Sequence, residues 1–295
     1  MTTTPFGRMV TAMVTPMHDD GTLDLDGAQK LASYLVDRGN DGLVVNGTTG
    51  ESATTTDEEN VDLVRAVVEA VGDRARITAG VGTNDTAHSV AAARNLAAAG
   101  AHAALIVTPY YNKPPQAGII EHFKAVAGAT DLPAMAYDIP GRTGMALTSD
   151  TIRALADVPN IKALKDAKGD LAAGAQLMAQ TGLAWFSGDD ALNLPWLALG
   201  ATGMVSTVGN VDAARLAALI AAVDANDLAK ARTLNDELAP LIAAVMNVTQ
   251  GCIQAKAALH LLGVIDSDFC RLPLLPAPDD HRALLRDTLT NLGLL

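Results

Sequence analysis

The chain is poor in aromatics, cysteine and positive charge, and it has no long apolar run. Aromatic residues make up 3% of its 295 positions, so aliphatic side chains and alanine must build the interior; a 49% hydrophobic content is enough for a large core. The two cysteines, Cys252 and Cys270, have no metal-binding or redox spacing. Twenty-one Lys and Arg face 33 Asp and Glu, a formal net charge of −12. Such a balance argues against nucleic acid or an anionic membrane as partner, and any anionic ligand must be held by a few local cations. No apolar run approaches the roughly 18 residues of a membrane span. Residues 1–8 lack the basic and apolar regions of a secretory signal, so the expected location is cytoplasmic. Six histidines show no H-x-x-x-H or related spacing, and no metal is expected.

What is present is an alternation. Eight short apolar runs read as strands: Met9–Val14, Gly42–Val45, Arg76–Val81, Ala103–Val107, Ala134–Tyr137, Ile161–Lys165, Ala184–Phe186 and Gly203–Ser206. Amphipathic segments between them read as helices over 24–38, 57–71, 86–99, 115–128, 148–157, 170–181 and 190–199. Asp24, Asp57, Thr86, Thr148 and Asp170 are candidate N-caps, and Gly39 and Gly100 mark helix ends. Strand followed by helix eight times over predicts an α/β fold, a (β/α)8 TIM barrel. A doubly wound sheet would want an early phosphate-binding glycine loop, and neither G-x-G-x-x-G nor G-x-x-x-x-G-K-S/T occurs. After about residue 208 only helices are expected, over 211–223, 227–247, 251–263 and 280–292. The division is therefore a catalytic barrel over 1–224 and a C-terminal helical extension over 225–295, packed on the barrel or on a partner subunit.

In a barrel the active site forms where the carboxyl ends of the strands meet. Lys165 closes the sixth strand. Burial there disfavours its ammonium form, and a free amine attacks carbonyls. Strand alternation puts Lys162 on the opposite face, so one of the two lysines points inward. The fifth strand ends in Tyr137-Asp138-Ile139-Pro140-Gly141-Arg142-Thr143-Gly144. It offers a phenol over the barrel mouth for acid/base work, and an arginine able to grip a carboxylate at two points. The second strand runs into Asn46-Gly47-Thr48-Thr49-Gly50-Glu51-Ser52, which is either a small carboxylate site or simply a Gly/Thr turn. The fourth ends in Tyr110-Tyr111, two of four tyrosines, whose adjacent side chains diverge, so that one can serve its own barrel while the other reaches elsewhere. The seventh ends in Ser187-Gly188-Asp189-Asp190, where the two aspartates read as the N-cap of the next helix.

These motifs, in order and each at a strand end, make the chain resemble the dihydrodipicolinate (4-hydroxy-tetrahydrodipicolinate) synthase family over nearly its whole length. The wider superfamily of pyruvate-dependent class I aldolases shares the lysine, the tyrosine and the Gly-Thr-Thr-Gly-Glu loop; Arg142 and the tyrosine pair narrow the likeness. The resemblance implies condensation of pyruvate with L-aspartate 4-semialdehyde in lysine and diaminopimelate biosynthesis, with no metal or organic cofactor. It implies that Lys165 forms the Schiff base and that Tyr137 moves protons. Thr48 and Tyr111 would complete the relay, Tyr111 coming from a neighbouring subunit. It further implies that Thr49, Gly188 and the backbone of Val205 lie against pyruvate, and that Arg142 holds the semialdehyde carboxylate. A homotetramer built from tight dimers is the implied assembly. N-acetylneuraminate lyase and 2-keto-3-deoxy sugar acid aldolase are the alternatives; they would keep Lys165 and Tyr137 but want polar groups where Arg142 stands. A silent barrel used as a scaffold would not need the full residue set.

The sequence departs from the family pattern at a few places. Valine stands at 205 where isoleucine is frequent, and Gly141 where serine is frequent. Lysine-sensitive members have basic and acidic residues in the stretches that here carry Asp57, Asn60 and His88, while Ser52, Ala53, Asn84 and Tyr110 match. Weak feedback inhibition by L-lysine is therefore expected.

Overall fold

The computed structural model describes residues 4–295; Met1–Thr3 of the start lie outside the described residues. Eight parallel strands close into a barrel in chain order: β1 (Met9–Ala12), β2 (Gly42–Val45), β3 (Arg76–Gly80), β4 (Ala103–Val107), β5 (Ala134–Asp138), β6 (Ile161–Asp166), β7 (Ala184–Ser187) and β8 (Gly203–Ser206), with β8 bonded back to β1. All eight expected strands are present. Strands buried on both faces read as continuous apolar runs, which is why these short segments stand out in the sequence. One face fills the barrel with Val10, Val44, Leu105, Met135, Ala163, Phe186 and Val205. The other packs outward against the helices, through residues such as Leu43, Ile77, Ile106 and Leu164.

The helices are α1 (Leu25–Asp37), α2 (Asp57–Val71), α3 (Thr86–Ala98), α4 (Gln116–Ala127), α5 (Pro140–Thr143), α6 (Ser149–Ala156), α7 (Leu171–Thr181), α8 (Asn193–Ala198), α9 (Gly209–Asp224), α10 (Leu228–Met246), α11 (Gly251–Leu261) and α12 (Asp279–Asn291). Asp24, Thr148 and Asp170 cap as expected. Two caps sit one residue earlier than the sequence reading. Thr56, not Asp57, caps α2, because its hydroxyl accepts from Glu59 N while the Glu59 carboxylate reaches back to Thr56 N. Asp85, not Thr86, caps α3 and accepts from Ala87 and His88.

The C-terminal helices belong to the same packed body as the barrel. Leu238, Leu241 and Val245 of α10 and Leu285 and Leu289 of α12 share one buried cluster with Leu35 of α1 and Val211 of α9. Every residue of α11 from Gly251 to Leu259 is buried, Lys256 among them. No single helix among the described residues is long and apolar enough to cross a membrane.

Candidate active site

Tyr137 and Lys165 are register partners on β5 and β6, and both face the barrel interior. The Lys165 amine lies 4.1 Å from the centroid of the Tyr137 ring. Lys162, one face over, is exposed, as strand alternation requires. Burial pushes the Lys165 amine down to about 8 from its ordinary 10.5; the Asp190 carboxylate opposes that shift and the Arg142 guanidinium adds to it. Far more of this amine is therefore free near neutral pH than of an ordinary lysine. Burial drives the Tyr137 phenol upward, with Arg142 pulling the other way, so it remains a proton donor.

Around this pair the strand ends supply a pocket floor. A Cβ on Gly188 would stand 3.0 Å from Lys165 Cγ, so glycine keeps the space beside the lysine side chain open. Val205 is buried inside the barrel on β8. Thr49 is buried, and its hydroxyl lies 3.2 Å from that of Thr207, just past β8. Thr48 is exposed on the rim. Arg142 is exposed on α5, a single turn that the sequence reading missed because four residues are too few to show a helical period. Proline at its first position and Gly144 with φ of 75° at its end set that turn.

Tyr111 does not join this group within one chain. It is 88% exposed, held at φ of 73° with its N–H donating to Thr143 O. A cavity of about 1140 Å³ runs alongside the mouth rather than over Lys165. Thr48, Tyr110, Tyr111 and Arg142 line it together with Asp57 and His88, whereas Lys165 and Tyr137 do not.

Four groups around the barrel mouth were not legible. Asp190 is not a cap. Asp189 caps the turn that follows β7 by accepting from Ala191 N, while Asp190 is buried and bonded to the residues that leave β8. Asp138 and Asp166, register partners that extend β5 and β6 by one residue, bury their carboxyls outside the barrel wall. Burial lifts Asp138 to about 7 from 3.8; the bond from Leu147 N opposes this and Asp166 adds to it. Glu51 of the Thr48–Thr49 loop pairs with Lys256 of α11 in full burial. Cys252 and Cys270, unrelated by spacing, place their thiols within 4.8 Å of each other and of Glu51.

The Dihydrodipicolinate synthetase family matches residues 5–292. The chain belongs to that family. A 4-hydroxy-tetrahydrodipicolinate synthase of Mycolicibacterium paratuberculosis is 56% identical over 282 residues, 95% of this chain and 93% of that protein. The crystal structure of the Cyanidioschyzon merolae member of the family, with lysine bound, is 41% identical with a TM-score of 0.95, covering 99% of both chains. That of the Acinetobacter baumannii dihydrodipicolinate synthase, chloride-inhibited and complexed with pyruvate, is 37% identical with a TM-score of 0.94 and covers 99% of this chain and 100% of that one. The family's barrel and its C-terminal helices are thus those found here, and the chain is a lyase of this family.

Proposed function

We propose that this site condenses pyruvate with L-aspartate 4-semialdehyde, the reaction of a 4-hydroxy-tetrahydrodipicolinate synthase in lysine and diaminopimelate biosynthesis, with Lys165 as the Schiff-base residue. The observation that carries the reading is the buried Lys165 amine, lowered to about 8 and set against the Tyr137 ring at the carboxyl end of β6. A free amine adds to the pyruvate ketone, and loss of water gives an iminium. That cation draws electrons from the neighbouring methyl, so a proton leaves and an enamine forms. Tyr137 is the proton carrier at this step, its phenol kept protonated by burial. The enamine carbon then bonds to the aldehyde carbon. The semialdehyde's amino group displaces Lys165 as the ring closes, and the free amine returns.

Thr49, Gly188 and the Val205 backbone receive pyruvate, and Arg142 takes the semialdehyde carboxylate at the rim. Thr48 and Tyr111 form the proton relay to Tyr137. Tyr111 is exposed in the single chain, which supports a relay completed by a second chain in a homotetramer made of tight dimers. The catalytic unit is residues 1–224, with 225–295 as the helical extension; the composition supports a cytoplasmic location. A sugar-acid aldolase reading is not favoured, since the relatives named above are synthases and Arg142 stands where a sugar chain would need neutral polar groups. The test is pyruvate-dependent consumption of aspartate semialdehyde by the purified protein. Retro-aldol cleavage of a sialic or 2-keto-3-deoxy sugar acid in its place would overturn the assignment.

A further inference from the structure

Asp190 is a buried carboxylate two residues past Gly188, the glycine that lies against the Lys165 side chain, and no cation among the described residues is bonded to it. It is 3% exposed and sits just past the end of β7. Its Oδ1 accepts from the Ser206 hydroxyl and from Asn193 Nδ2 at 3.0 Å; its Oδ2 accepts from the backbone N–H of Thr207 at 2.9 Å and of Val208 at 3.1 Å. Ser206 Oγ itself accepts from Gly209 N at 2.8 Å, so the hydroxyl proton is committed to Asp190. Donors surround both oxygens. Burial pushes this carboxyl up and its four donors pull it back down; a protonated carboxyl would set its own proton against one of theirs, so the bonding pattern fits the ionised form.

The four partners also define what this group fastens. Asn193 opens α8; Ser206, Thr207 and Val208 follow Val205 out of β8 and into α9. Thr207 is the residue whose hydroxyl meets Thr49. One carboxylate therefore joins the end of β7 to the turn that carries both the Val205 backbone and the Thr49 contact. The charged groups acting on Lys165 are Asp190 from this turn and Arg142 from α5, of opposite sign; Tyr137 on β5 is neutral.

We propose that Asp190 is a positioning residue for the imine step: it clamps the Val205–Val208 turn into the site and holds a buried negative charge two residues past Gly188, the glycine that lies against the Lys165 side chain. The inference rests on Lys165 being the Schiff-base residue. A cation created in a water-poor site is stabilised by a charge already in place, with no reorganisation at the moment of reaction. The same clamp keeps pyruvate's carboxylate donors in register with the nitrogen.

Borohydride trapping of pyruvate on the wild-type protein comes first, since absence of an adduct on Lys165 would defeat the Schiff-base reading itself. With that adduct in hand, Asp190→Asn isolates the clamp. We expect kcat to fall by about ten- to a hundredfold. We also expect the pH midpoint of pyruvate trapping to move to lower pH, because the charge that holds the lysine protonated has gone; a purely structural role would leave that midpoint in place. Wild-type midpoint and near-wild-type kcat in the variant would overturn the proposal. Should Asp190→Asn fail to fold, the Asp190 carboxyl carbon followed by NMR in the wild-type enzyme decides. It remains ionised across the active pH range under the proposal, and a protonated group there would overturn it.

Discussion

Lys256 of α11 is completely enclosed against Glu51 of the loop that carries Thr48 and Thr49. Its ammonium also donates to Phe269 O at 2.7 Å, and the second Glu51 oxygen accepts from Arg271 N at 3.0 Å. Arg271 continues the chain of contacts to Glu59 of α2 and to Gly21 O. The helical extension thus holds a loop of the barrel mouth from behind, through charges rather than through apolar contact alone. Glu51 stands at φ of 57°, a conformation that non-glycine residues keep only when their surroundings fix it.

Lys256→Met removes one partner and leaves Glu51 buried and unpaired, a loss of about 3–5 kcal/mol in urea unfolding. The double variant Lys256→Met/Glu51→Gln recovers part of that loss, because no uncompensated charge remains. KM for pyruvate rises in the single variant, since Thr49 lies two residues from Glu51. Unchanged stability of Lys256→Met would contradict the assignment.

The pH dependence of stability has an identifiable source in Asp138. The native state keeps this carboxyl protonated up to about pH 7, whereas the unfolded chain releases the proton near 3.8. A folded-state pKa above the unfolded one means that the group's contribution is full below 3.8 and is lost as pH rises through 7. Asp138→Asn retains an acceptor for the Leu147 N–H and carries no charge at any pH. We expect its melting temperature to match the wild type near pH 4 and to exceed it increasingly up to pH 8. A gap independent of pH would contradict this account.

The barrel was legible because its strands are short, apolar and buried on both faces, and because helix-length segments separate them. Strand ends were less so. Met13 and Val14 read as strand, yet β1 ends at Ala12; Met13 N still bonds to Val44 O, and burial continues past the ladder. Asp138, Asp166 and Ser187 extend the ladder in the other direction, in register with one another, although polar residues there read as loop. The inward lysine was legible from the period-two alternation that exposes Lys162. Asp190 was not, since three of its four donors come from the end of β8 and the turn beyond, and sequence proximity offered only a helix cap. The Glu51–Lys256 pair spans 205 positions and leaves no local mark. The strand-end pattern offered Tyr137 as an acid/base group and Arg142 as a carboxylate grip, whereas the roles of Thr48, Thr49, Tyr111, Gly188 and Val205 came from resemblance to a family.

Arg142 tests the second substrate. It is exposed at the rim and has no ion-pair partner among the described residues, which leaves its guanidinium free for a ligand. Arg142→Ala raises KM for the semialdehyde by roughly ten- to a hundredfold, the range of a lost charge-assisted hydrogen bond. A rise confined to the KM for pyruvate would place the arginine on the wrong substrate.

The expectation of weak lysine feedback rests on Asp57, Asn60 and His88, which line the side cavity. Asp57 and His88 are hydrogen-bonded to each other there at 2.9 Å, so the carboxylate oxygen and ring nitrogen that an amino acid would engage are already occupied. We expect weak or absent inhibition by L-lysine at saturating pyruvate, in contrast to a site built for that ligand. Half-inhibition below about a millimolar would contradict this, since such affinity needs roughly 4 kcal/mol or more of binding energy.

The account stands on a covalent bond to one lysine. The direct measurement is borohydride reduction of the enzyme in the presence of pyruvate, followed by peptide mass analysis across a pH series. The account predicts loss of activity together with a reduced pyruvyl adduct on Lys165, forming more readily as pH rises through about 8. An adduct on Lys162 or Lys168 with Lys165 unmodified, or no adduct while turnover continues, would contradict it.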